Sequence, residues 1–81
     1  MTRDEALDYI TKAISEVSAE AASKITPETH LVEDKLLDSL DTINFLFELE
    51  QMLGCKLEAI DEDFTDYRIE RLIEIVMDTS R

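Results

Sequence analysis

The chain has 81 residues, 44% of them apolar, and carries 20 acidic against 8 basic side chains, for a formal net charge of −12. That length provides one small domain with a single core, and that charge disfavours anionic membranes and nucleic acid, whose binders bring cations to the phosphates. Glycine and proline occur once each, which favours helices joined by few loops over a turn-rich sheet protein.

From the N-terminus, Met1-Thr2-Arg3-Asp4-Glu5 lacks the apolar region of a signal peptide, and no later stretch is long and apolar enough to span a bilayer. A cytoplasmic setting is the default. Thr2 and Glu5 have the spacing of a capping box, and Leu7, Ile10, Ala13, Ile14, Val17 and Ala21 then recur on one helical face. A first helix is therefore predicted from Arg3 to about Ala19 or a turn beyond. Residues 25–32 contain Pro27 and form a loop, pinned to the bundle by Ile25, Leu31 and Val32. The second helix should run from Ser39 to about Leu53, where Gly54 supplies a left-handed residue to end it. Residues 55–63 connect onward, with one short helical turn expected near residues 59–64. Thr65 or Asp66 then starts a last helix in which Ile69, Leu72, Ile73 and Val76 share a face. The expected architecture is all-α, a small four-helix bundle of three longer helices and one short one, in a single domain over residues 1–81.

The second helix has two apolar faces. At 100° per residue, Leu46, Leu49 and Leu53 lie together and Phe45 and Met52 extend their arc, which is the side to bury. Leu40 and Phe47 stand on the roughly opposite side beside Asn44 and Gln51, with Ile43 on the border. A bundle this small cannot readily bury both, so Leu40 and Phe47 are expected to be at least partly exposed, flanked by Asp41 and Glu48. Phe45, Phe47 and Met52 are bulky, which points to any cargo being held outside the bundle.

Asp38-Ser39-Leu40 opens this helix and sets a serine hydroxyl at its N-terminus. A phosphate ester there would meet the unpaired N–H groups of the first turn and the positive end of the helix dipole. Residues 33–54 read EDKLLDSLDTINFLFELEQMLG, which resembles the acyl carrier and peptidyl carrier protein family, whose Asp-Ser-Leu signature carries phosphopantetheine on its serine. The resemblance takes in the helix before, the loop and the helix after. It implies attachment at Ser39 by a phosphopantetheinyl transferase, with coenzyme A as donor, and acyl cargo held as a thioester on the arm. It further implies a partner surface of Asp38, Leu40, Asp41, Phe47, Glu48 and Glu50, which meets a loading ligase and downstream transferases through their basic docking surfaces. One departure is Leu36, where carriers of fatty acid synthesis usually have glycine. Leu36-Leu37-Asp38-Ser39 looks more like carriers that load amino acids or specialised stand-alone carriers, so an aminoacyl or peptidyl carrier is the alternative. An acidic helical adaptor without a prosthetic group is the other class.

Catalysis by Ser39 would need an activating base, and His30 is the sole imidazole; no Gly-x-Ser-x-Gly elbow is present. The chain is read as a carrier and not an enzyme, with no catalytic residue, and His30 as a surface or loop-packing residue. Cys55 stands alone, so there is no internal disulfide and a structural zinc site lacks ligands. Asp61-Glu62-Asp63 and Asp66 do not make a calcium loop: with Asp61 first, Asp66 takes the place of the required glycine and Leu72 that of the bidentate glutamate. The acidic run is read as a solvated helix start, no metal is expected, and the strong charge favours a monomer.

Overall fold

Thr2 Oγ1 accepts the N–H of Glu5 at 3.2 Å and Glu5 Oε1 accepts that of Thr2 at 3.1 Å, a capping box that starts helix α1, Arg3–Val17. The structure, a computed structural model, describes residues 1–60 and 64–79. Within them lie three further helices, α2 Ala19–Ala22, α3 Ser39–Leu53 and α4 Ile69–Thr79. Three helices are long and one is short, as expected, but the short one falls elsewhere in the chain.

The single first helix predicted to reach Ala19 or beyond is in fact two. Ser18 is extended (φ −156°, ψ 105°), and its hydroxyl accepts the Ala21 N–H at 3.2 Å to begin α2. A serine side chain competes for backbone donors and so favours a cap over a helix interior. The short helix was expected near residues 59–64. Ala59 and Ile60 instead form a turn and bend, Phe64 is not helical, and residues 61–63, which also hold most of the acidic run, lie outside the described residues.

Helix α3 has the predicted bounds because both ends are signalled locally. Asp38 Oδ1 accepts the Asp41 N–H at 2.8 Å, and Gly54 (φ 73°) closes the C-terminus in the left-handed region. Helix α4 begins at Ile69, later than the predicted Thr65 or Asp66. The preceding residues are not helical; Tyr67 N–H turns back to Thr65 O at 3.1 Å, and the segment pairs with the loop after α2: the Leu31 N–H donates to Tyr67 O at 3.0 Å, and His30 and Arg68 form an isolated antiparallel bridge.

Helix α1 is the hub. It packs closely against α2, α3 and α4, whereas no Cα of α3 comes within 8 Å of one in α4. Ala6, Ile10, Ala13 and Ile14 of α1 are buried with Phe45 and Leu49 of α3 and Leu72, Ile73 and Val76 of α4, and Leu31, Leu37 and Leu57 close the core from the connections. Phe45 fills that core, while Met52 is half-buried and Phe47 points away from it. Among the described residues no helix is long and apolar enough to cross a membrane.

Among the described residues two have positive φ, Gly54 at 73° and Lys35 at 61°. A Cβ at Gly54 would meet nothing within 4 Å, so only backbone strain opposes a side chain there. Urea titration of Gly54→Ala should show a loss of about 1 kcal/mol, and Lys35→Gly a gain of about 0.5 kcal/mol, the left-handed penalty less the entropy that glycine adds to the unfolded chain.

Candidate functional site

The loop between α2 and α3 is held from outside itself. Pro27 O and Thr29 O accept the N–H groups of Glu70 and Ile69 at 3.2 and 2.9 Å, so loop carbonyls serve the first turn of α4. His30 Nδ1 accepts the N–H groups of Glu33 (3.0 Å) and Val32 (3.3 Å). The ring proton therefore sits on Nε2, which donates to Thr65 O at 3.2 Å. His30 is thus a loop-packing residue. Asp34 Oδ2 accepts the His30 N–H at 3.0 Å.

Leu31 O then takes the N–H groups of both Leu36 (3.1 Å) and Leu37 (2.9 Å), a tight return made possible by the left-handed Lys35. The positive φ lies at Lys35, so Leu36 occupies its place without needing glycine's freedom. Leu31 and Leu37 are buried, and the next two residues, Asp38 and Ser39, emerge exposed at the start of α3. Ser39 O accepts the buried Thr42 hydroxyl at 2.8 Å. Asp38 takes the Asp41 amide, which leaves the amides of Ser39 and Leu40 as the first-turn donors beside the serine hydroxyl.

Helix α3 presents three sectors. Thr42, Phe45 and Leu49 face the core. Leu40, Ile43 and Phe47 are 64%, 63% and 59% exposed, so the outer apolar strip is present and includes the border residue Ile43. On the side toward α1, Asp41, Asn44 and Glu48 border a shallow hollow of about 280 Å³ together with Glu16, Val17 and Phe47. Asp41 and Glu48 are half-buried; so is Glu50, whose Oε2 accepts the Leu57 N–H at 2.8 Å and ties the following segment to the helix.

On its other side α3 borders an open groove of about 650 Å³. Ser39, Thr42, Ile43, Leu46, Phe47 and Glu50 form the helix wall; Ile60, Phe64, Thr65 and Tyr67 form the opposite one, with Val32 of the loop between. The groove thus lies between α3 and the segments that precede α4, and no residue of α4 lines it. Sequence patterning missed it, since its far wall comes from a segment without helical period.

Charge is unevenly placed. Helix α3 contains no basic residue, whereas four of the chain's cations are paired elsewhere: Lys12 with Asp8, Lys24 with Glu20, Arg68 with Asp66 and Arg71 with Glu74. Hydrogen bonds from the Arg68 guanidinium, both 2.7 Å, hold the Asp66 carboxyl below the usual carboxylate range, and burial pushes the Tyr67 phenol up. Cys55 is exposed, and among the described residues no His, Cys, Asp and Glu side chains gather as metal ligands would.

No family model matches the chain, and no solved structure matches it. Curated relatives do. The chain is 34% identical over 68 residues to acyl carrier protein 2 of Ralstonia nicotianae, covering 84% of this chain and 82% of the relative. It is 34% identical over 68 residues to the meromycolate extension acyl carrier protein of Mycobacterium leprae, spanning 84% of this chain and 57% of the relative. It is also 34% identical over 50 residues to acyl carrier protein AcpXL of Mesorhizobium japonicum, where those residues make up 62% of this chain and 54% of the relative. With a helical bundle, an exposed Asp-Ser-Leu at the head of α3 and relatives that match along most of its length, the chain belongs to the acyl carrier protein family.

Proposed function

We propose that residues 1–81 form one carrier domain that bears phosphopantetheine on Ser39 and presents acyl cargo to successive enzymes. The observation that carries this is the exposed Ser39 hydroxyl at the first residue of α3, beside an apolar groove and next to two first-turn amides. Those features fit a phosphodiester, which needs access, room and backbone donors. The arm, donated by coenzyme A through a phosphopantetheinyl transferase, would supply the terminal thiol that holds cargo as a thioester.

The chain's own residues position and advertise that arm. Asp38 caps the helix, the Leu31 carbonyl fixes the turn before it, and Thr42 anchors the Ser39 carbonyl. Asp38, Leu40, Asp41, Phe47, Glu48 and Glu50 form the partner surface in this proposal. It is supported by the exposure of Leu40 and Phe47 and by the lack of any cation on α3. Acidic groups steer basic docking surfaces of a loading ligase or transferase into contact, and the apolar strip holds the docked pose briefly. The relatives are named acyl carriers and Leu36 needs no glycine conformation, which favours acyl over aminoacyl or peptidyl cargo.

Incubation with coenzyme A and a promiscuous phosphopantetheinyl transferase should add the mass of one arm, and Ser39→Ala should abolish the gain. A chain that gains no mass is an adaptor, not a carrier. For the partner surface, Phe47→Ala and Glu48→Lys should each slow acyl transfer about tenfold at low salt, with the Glu48→Lys deficit shrinking as salt rises. Unchanged transfer rates in both variants would remove this face from docking.

A further inference from the structure

The groove beside Ser39 is unusual in which side chains line it. The whole sequence has three phenylalanines and two tyrosines, and three of these five, Phe47, Phe64 and Tyr67, border this one groove. Phe64 and Tyr67 meet edge to face, centroids 5.0 Å apart at 87°, so one wall is a perpendicular ring pair. Phe47 lies on the opposite, helical wall with more than half of its surface in solvent.

We infer that this groove selects planar aromatic or conjugated acyl groups over saturated chains of the same size. The inference rests on Ser39 being the attachment point, as proposed above. A saturated chain gains from such a groove only what its buried area returns, whereas a planar ring also gains the edge and face attraction of neighbouring rings. The aliphatic lining of Ile43, Leu46 and Ile60 serves either cargo equally and does not discriminate. Two polar groups of the helix wall are already engaged: the Thr42 hydroxyl donates to Ser39 O, and Glu50 Oε2 accepts the Leu57 N–H. Burial raises the Tyr67 pKa, so its phenol stays a neutral hydroxyl on a mainly apolar wall. The serine that would anchor the arm itself lines the groove, so a tethered acyl group is kept at high local concentration beside it.

The test loads the full chain at Ser39 with cinnamoyl- or nonanoyl-phosphopantetheine, which a promiscuous phosphopantetheinyl transferase moves from the corresponding coenzyme A thioester onto the serine oxygen with release of adenosine 3′,5′-bisphosphate, and intact mass confirms each product before thermal melting. Cinnamoyl cargo should raise Tm by about 4 °C more than nonanoyl cargo. Its ring protons should also move upfield in NMR spectra, through the ring currents of the groove. Phe64→Leu should bring the two Tm shifts together, each compared with the same variant carrying the bare arm. If Phe64→Leu does not fold, the exposed position serves in its place as Phe47→Leu. Loading without a cinnamoyl advantage, or with one that survives these substitutions, overturns the aromatic selectivity alone. Failure of both thioesters and of coenzyme A to add mass overturns the attachment at Ser39 and this inference with it.

Discussion

The backbone cross-link between the loop after α2 and the chain entering α4 is the constraint that sets the rest of this molecule. Leu31 N–H to Tyr67 O, Ile69 N–H to Thr29 O and Glu70 N–H to Pro27 O join two irregular segments that would otherwise leave these groups unpaired. The His30 ring adds a side-chain tie to Thr65 O and at the same time fixes the Val32 and Glu33 amides. With the loop immobilised, Leu31 and Leu37 enter the core, and the chain must emerge at Asp38 and Ser39. The same bonds hold Thr65 and Tyr67 as the far wall of the groove. One set of hydrogen bonds therefore positions the exposed serine and shapes the space beside it.

Packing around a central α1 accounts for that space. Helix α1 packs against each of the other helices, and the buried Thr42, Phe45 and Leu49 turn one side of α3 to the core and leave its other sides free. The first is a core-filling face, the second an apolar wall of the groove, and the third an acid-flanked strip with no compensating cation. A helix of 15 residues thus turns one side to the core, one to the groove and one to solvent. The cost is exposed apolar surface at Leu40, Ile43 and Phe47, on a chain whose net charge of −12 opposes its self-association.

Elements with local punctuation were legible in the sequence. Asp38 and Gly54 bracket α3, and Thr2 with Glu5 opens α1, because a cap is made by residues a few positions apart. Ser18 hid its break, since Ala21 of α2 continues the buried face of α1 and periodicity alone runs straight through. The start of α4 was misplaced for the opposite reason: Thr65 and Asp66 look like caps, but the first-turn amides take carbonyls from residues far earlier in the chain. The left-handed Lys35 gives no sequence signal, as glycine or asparagine would. At the site, exposure of Leu40 and Phe47 followed from a helical wheel, while the groove did not, because its far wall of Phe64, Thr65 and Tyr67 is a non-helical segment that only the fold brings beside α3. Bulk at Phe45, Phe47 and Met52 suggested a filled interior, yet only Phe45 is fully buried.

The central claim is that Ser39 is where the prosthetic arm is fixed, and the cell that makes this chain holds the most direct answer. Trypsin cleavage after Lys35 and Lys56 releases a peptide of residues 36–56 in which Ser39 is the only serine. Tandem mass spectrometry of the chain purified from its own source should show that peptide carrying phosphopantetheine on Ser39. Recovery of the peptide wholly unmodified, or of the arm on another residue, would contradict the account.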